Sequence, residues 1–225
     1  FDADGNLIAN APHMPVHLGS MGESIKTVIA KNAGRMKPGD VYVLNDPYNG
    51  GTHLPDVTVI TPVFSEVTPA QAGVQSPEIL FYVGSRGHHA DIGGITPGSM
   101  PPFSKTVEEE GVLLDNVKLV ENGHMLETEM RRLLGAARYP ARNPDQNIAD
   151  LRAQIGANDK GVQQRKRVVP HFGLVVVRPH VGPVTHHAAA CVGSVLRAVS
   201  AGQATYMSAS RPLHPAWSQL SPTTR

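Results

Sequence analysis

"VYVLNDPYNGGTHLPDVTVITPVF", Val41 to Phe64, contains two runs of apolar and β-branched residues separated by a segment of Asn, Asp, Pro and Gly. The first run, "VYVLND" (41–46), has strand length, and the second, "DVTVITPVF" (56–64), has strand length and alternation. The polar segment between them is loop. A third run, "EILFYVGS" (78–85), follows and leads into "SRGHHADIGG", Ser85 to Gly94. The segments 45–56 and 85–94 together hold three acids, three histidines and five glycines. If the three strands are neighbours, both polar loops open at one edge of the sheet.

Working outward, "FDADGNLIAN" (1–10) predicts a hairpin turn at Asp4-Gly5. "APHMPVHLGSMG" (11–22) reads as irregular loop, because Pro12 and Pro15 argue against a regular helix. Glu23 to Asn32 carries Ile25, Val28 and Ile29 at helical spacing, and Gly34 is a stop signal. "KPGD" (37–40) is a turn. "GGITPGSMPPFS" (93–104) is a long Gly/Pro loop of the kind that often carries function. Residues 105–134 predict strand, turn and a short helix over Glu127–Leu134. Asn143 or Asp145 caps a helix reaching about Gln164, with Ile148, Leu151 and Ile155 as its buried stripe. Beyond Arg165, "FGLVVV" (172–177) predicts a strand and 185–202 a helix. Residues 205–225 read as a Ser/Pro/Thr-rich disordered tail. The fold class is mixed α/β (α+β): a sheet with flanking helices, functional loops at its strand ends, and an incomplete domain.

The 225 residues are 40% hydrophobic and 17% charged, a globular composition. A net charge of +1 gives no basic field for nucleic acid or an anionic membrane. The single cysteine, Cys191, excludes an internal disulfide framework, fits a reducing, cytoplasmic setting and reads as a core residue. No apolar run is long enough to span a bilayer. The chain opens at Phe1 inside what looks like a hairpin, so it is expected to be part of something longer.

His53 and Asp56 are three residues apart with Pro55 between them. Such a pair can grip one ion, and a histidine from the next strand end completes a set of N and O donors. Neutral imidazoles with a carboxylate suit zinc, manganese or iron(II), and suit calcium poorly. Asp and His also serve as turn formers at strand ends, which is the bland alternative. Neighbours on extended chain point to opposite faces, so one of His88 and His89 turns away; spacing does not say which. Gly50-Gly51 and Gly93-Gly94 would let backbone approach a ligand closely. His13 and His17 either line the same cleft or pack, and His186-His187 fits a surface helix. The chain has no phosphate loop, no Cys-x-x-Cys pair and no nucleophile elbow.

"ANAPHMPVHLGSMGE", "GDVYVLNDPYNGGTHLPDVTVITPVF", "SRGHHADIGGITPGSMPPFS" and "PARNPDQNIADLRAQIGANDKGVQ" together resemble the hydantoinase B / 5-oxoprolinase family over about residues 1–164. The resemblance implies a B-type part that works with a hydantoinase A-type subunit or domain. ATP is bound by that partner, which phosphorylates a lactam or imide carbonyl, and the B part completes ring opening. It implies 5-oxo-L-proline hydrolysis to L-glutamate, with N-methylhydantoin opening as the alternative. It further implies a divalent metal, zinc or manganese, held by His53, Asp56 and His88, and so selects His88 over His89. Asp46 and Asp91 match acidic positions nearby that would orient water or take its proton. Arg86 would meet a substrate carboxylate or support its loop. A small cyclic amide as substrate, oligomeric assembly, and no nucleic-acid or membrane partner complete the expectation.

Two departures bear on this. Residues 65–77 look like an insertion between two ligand-bearing strands, which a surface loop absorbs cheaply. Residues 165–204 read as a degenerate continuation of the same domain, and 205–225 lack family character. A truncated, non-catalytic remnant that binds metal or a partner is therefore the rival reading.

Overall fold

A computed structural model of the chain describes residues 1–10, 15–65, 77–98 and 101–172. In chain order these form α1 (Pro15–Asn32), β1 (Val41–Leu44), β2 (Asp56–Phe64), β3 (Ile79–His88), α2 (Val107–Glu110), β4 (Val117–Glu121), β5 (His124–Met125), α3 (Glu127–Ala136) and α4 (Pro144–Phe172). The strands make one antiparallel sheet in the order β3-β2-β1-β4-β5. This is the mixed helix-and-strand class expected, with β2 at the predicted bounds.

The alternation of side chains sorts the core into two layers. Tyr42, Leu44, Ile60 and Tyr82 pack with Ile25 and Val28 of α1 on one face. Val41, Val43, Val57 and Val59 pack with Met130 and Leu134 of α3 and Ile148 and Leu151 of α4 on the other. Strands β1 and β2 are thus covered on both sides, which is why they read as nearly continuous apolar runs.

Several expectations need correction. Helix α1 begins at Pro15, well before Glu23. Proline is tolerated at the first helical position, where its missing N–H has no intrahelical partner anyway, and Met21 extends the buried stripe of Ile25 and Val28 one turn back. The N-terminal segment makes a turn but no hairpin strands. Gly5 N donates to Asp2 O at 3.2 Å, and Asp2 Oδ1 accepts from the Asp4 and Asn6 backbone N–H groups. Strand β3 runs on to His88, three residues beyond the expected end. Phe172, placed in a strand by its apolar context, belongs to α4, which also continues past Gln164. Asn143 supplies the cap of α4, its Oδ1 accepting from Gln146 N at 3.3 Å. The short α2 had no sequence signal long enough to be read. The expectations for His13, the loop 66–76, His186-His187, Cys191, the strand from 173 onward, the helix 185–202 and the tail lie outside the described residues.

Helix α4 is bound to the sheet by amides as well as by apolar packing. Gln154 Nε2 donates to Val57 O at 2.9 Å, and Asn158 Nδ2 donates to Val59 O and Thr61 Oγ1, both at 3.1 Å. Longer contacts reach Ser85 O and Val83 O on β3, both at 3.4 Å.

Candidate metal centre

Strand β2 starts at Asp56 and β3 ends at His88, and the register pairs these two residues directly. Paired residues of an antiparallel ladder project from the same face with Cβ atoms about 5 Å apart. His88 Nδ1 accordingly lies 2.8 Å from Asp56 Oδ1. His53 sits in the turn leading into β2, where Asp56 N donates to His53 O at 2.8 Å. Its Nδ1 is 3.8 Å from Asp56 Oδ2, and its ring stacks on His88 with centroids 5.6 Å apart. One ligand atom from each of His53, Asp56 and His88 lies within 4.8 Å of the others. Asp56 is 8% exposed, whereas the side chains of His53 and His88 are 25% and 51% exposed. A nearly buried anion thus faces two imidazoles that open towards solvent. This donor set fits a borderline divalent cation: modest reorientation of the rings brings two nitrogens and a carboxylate oxygen onto one centre.

The turn that carries His53 is built around Asn45. Its Nδ2 donates to Leu54 O at 2.8 Å and Val112 O at 2.9 Å, and its Oδ1 accepts from Leu114 N at 2.7 Å. Next to it, the Asp46 carboxylate accepts from Tyr48 N at 2.9 Å and Asn49 Nδ2 at 2.7 Å, while its carbonyl accepts from Gly51 N at 2.7 Å. A Cβ on Gly51 would strike the Asn45 carbonyl and come within 2.7 Å of Asp46 O. This glycine therefore serves the loop's own backbone and does not make room for a ligand.

His88 and His89 part to opposite faces. His89 is 2% exposed on the α4 side, with Nε2 at 3.2 Å from Gln154 Oε1 and Nδ1 at 3.0 Å from Asn147 Nδ2. Burial lowers its pKa, so the ring is neutral there; Nδ1 accepts from the Asn147 amide and Nε2–H donates to Gln154. Its backbone N also donates to Pro55 O at 2.8 Å, tying the end of β3 to the His53 turn.

Asp91 stands apart from the cluster. It pairs with Arg142, Oδ1 to Nη1 at 2.6 Å, and its Oδ2 accepts from Arg142 N at 2.8 Å and Gly93 N at 3.2 Å. The loop is pressed against residues 139–142 so closely that a Cβ on Gly93 would strike Tyr139 O.

Arg86 lies on the same face as His88, two residues back along β3. Its Nε donates to Thr58 Oγ1 at 2.8 Å, Nη1 to Ser20 Oγ at 2.6 Å and Nη2 to Ser24 Oγ at 2.8 Å, and His17 Nδ1 is 3.5 Å from Nη1. Burial lowers the guanidinium's pKa from its ordinary value and the nearby Asp56 charge raises it. Among the described residues, no carboxylate lies within ion-pair distance of Arg86. His17, expected either to line the cleft or to pack, sits beside this group, while His13 lies outside the described residues. Asn45, Asn147, Gln154, Ser20 and Ser24 were not picked out in the sequence. The four-residue spacing of Ser20 and Ser24 points to that pair alone, and only on a helix that already runs through both, as α1 does.

Among the described residues, no helix is long and apolar enough to cross a membrane. The model of the family described as hydantoinase B/oxoprolinase matches residues 1–216. The 5-oxoprolinase of Dictyostelium discoideum is 44% identical over 200 residues, covering 89% of this chain and 15% of that protein. The 5-oxoprolinase of Saccharomyces cerevisiae is 42% identical over 202 residues, covering 87% and 15%. The crystal structure of ATP-dependent caprolactamase from Pseudomonas jessenii superimposes with a TM-score of 0.61 at 30% identity, covering 80% of this chain and 27% of that one. The chain therefore spans about one-seventh of the length of these 5-oxoprolinases. By the extent of these matches, the chain belongs to the hydantoinase B/oxoprolinase family.

Proposed function

We propose that this chain supplies the ring-opening centre of an ATP-dependent cyclic amide hydrolase acting on 5-oxo-L-proline and yielding L-glutamate. The observation that carries the reading is the convergence of His53, Asp56 and His88 from two strand ends. The 5-oxoprolinase relatives favour this substrate over a hydantoin, and the family setting supplies an A-type subunit or domain that binds ATP and phosphorylates the ring carbonyl oxygen.

A five-membered lactam resists water because resonance strengthens its C–N bond, and phosphorylation of the oxygen weakens that resistance. His53, Asp56 and His88 would hold a zinc- or manganese-type cation, which supplies Lewis acidity and a lowered pKa for water. Asp56, nearly buried, fixes the centre's charge, and the half-exposed His88 sets its open side. Asp46 and Asp91 act by position in this reading. Asp46 shapes the turn ahead of His53, and Asp91 with Arg142 holds the loop behind His88. Ring opening would add one water to the phosphorylated carbon and break the C–N bond, giving an acyl phosphate and an amine that carries the proton; a second water would release the phosphoryl group as inorganic phosphate and leave the new carboxylate.

Metal analysis of the purified chain tests the centre, and ATP-dependent glutamate release with an A-type partner tests the activity. Zinc or manganese is expected at about one per chain, with His53→Ala and Asp56→Asn losing it. Full metal content and turnover in His53→Ala would overturn the proposal.

A further inference from the structure

We propose that Arg86, cradled by Ser20, Ser24 and Thr58, is the group that recognises the carboxylate of the substrate and selects carboxylate-bearing lactams over neutral ones. The inference rests on the cyclic amide hydrolase reading and adds a specificity residue to it.

Asp56 pairs with His88 and Thr58 with Arg86 in the same ladder, and all four project from the α1 face. Alternate residues of a strand stand about 7 Å apart. The guanidinium therefore originates one pleat from the metal centre, on the side covered by α1. In 5-oxoproline the carboxylate is attached to the ring carbon next to the amide nitrogen, so it lies to one side of the scissile bond. A ring presented to His53, Asp56 and His88 can point that carboxylate at Arg86.

The environment of Arg86 is unusual for a structural arginine. A buried cation normally has an anion beside it, because neutral partners compensate its lost hydration only in part. Here the Asp56 charge acts on it only from beyond ion-pair distance, and its contacts among the described residues are three hydroxyls at 2.6 to 2.8 Å and His17 Nδ1 at 3.5 Å. Docking α1 onto β3 does not require the charge, since a Cβ on Gly84 would lie 2.9 Å from Met21 Cε and the helix already rests directly on the strand. The hydroxyls place their own protons on backbone, Ser20 Oγ on His17 O at 3.3 Å and Ser24 Oγ on Gly50 O, so they hold the guanidinium as acceptors and leave its charge without a contacting anion until a carboxylate arrives.

The test compares 5-oxo-L-proline with 2-pyrrolidinone, the same ring without the carboxylate, using the full chain with its A-type partner. Arg86→Gln is expected to lower the kcat/KM ratio of the two substrates roughly 10- to 100-fold, mostly through KM for 5-oxoproline, with metal content retained. Arg86→Lys should recover part of the ratio. An unchanged ratio, including equal losses on both substrates, would overturn the assignment. Calorimetric titration of the metal-loaded chain with each lactam separates this from failure of the hydrolase reading. If wild type turns over neither lactam, but binds 5-oxoproline and Arg86→Gln does not, Arg86 stands and the activity falls. If both proteins bind it equally, the Arg86 assignment falls whatever the activity.

Discussion

Replacing Gln154 with Leu would test whether the buried polar bridge on the α4 face sets the stability of the hairpin that carries the metal centre. Leucine matches glutamine closely in volume, so packing is largely kept. The substitution removes the 2.9 Å bond to Val57 O and the 3.2 Å bond with His89 Nε2. A neutral hydrogen bond contributes about 1 kcal/mol net, and a buried donor left without a partner costs about 1–3 kcal/mol. His89 keeps Asn147 but has no other partner for Nε2 among the described residues, so the loss should be about 2–4 kcal/mol. For a chain of this size that is on the order of 5–15 °C in Tm. Urea unfolding followed by circular dichroism reads the effect as a lower midpoint at unchanged slope. A double-mutant cycle with His89→Leu sharpens it. Removing both partners should cost about 1–2 kcal/mol less than the sum of the single changes. Stability within about 0.5 kcal/mol of wild type for Gln154→Leu, or strict additivity in the cycle, would refute the bridge as a stabilising unit.

Three further outcomes follow from the same geometry. His88→Ala should abolish tight metal binding while shifting stability by no more than about 1 kcal/mol, whereas His89→Ala, next to it, should cost about 2–4 kcal/mol by leaving a cavity and two unpaired amides; metal titration and urea midpoints separate the two. Gly51→Ala should destabilise by about 1–3 kcal/mol and weaken metal binding through displacement of His53, read by thermal shift with and without zinc. Burial raises the Tyr82 pKa to about 12 from 10.0. The unfolded chain therefore loses this proton first, so the contribution is fully present below pH 10 and is lost as pH rises from about 10 to about 12. Tyr82→Phe should show a shallower alkaline decline in urea midpoint, and identical declines would contradict the assignment.

The legible parts of the fold were those written in local pattern. The bounds of β2 matched because Asp56 and Phe64 enclose an unbroken apolar, β-branched run. The stripe of α4 was readable because Ile148, Leu151 and Ile155 repeat at helical spacing. The start of α1 is not legible because Pro12 and Pro15 look alike in the sequence, although a proline at the first helical position breaks nothing. At the site, the gathering of His53, Asp56 and His88 was visible as composition at strand ends, but the choice between adjacent histidines depended on register. Register is set by partners far away in the chain: Asp56 opposite His88, and Gln154 and Asn147 waiting for His89 on the other face. The glycines were misjudged for a related reason. Their neighbours, the Asn45 carbonyl and Tyr139 O, are backbone atoms that no side-chain pattern reveals.

The amides of α4 have a consequence for how the β2–β3 connection can vary. Gln154 and Asn158 reach carbonyls on both strands, Val57 and Val59 on one, Ser85 and Val83 on the other. Alignment of the two strands is therefore measured from outside by a helix, where a short hairpin would depend on the length of its turn. Lengthening or shortening the link between Phe64 and Ile79 leaves that outside gauge untouched. The link is thus free to diverge from one homologue to another while the three ion-gripping side chains keep their places.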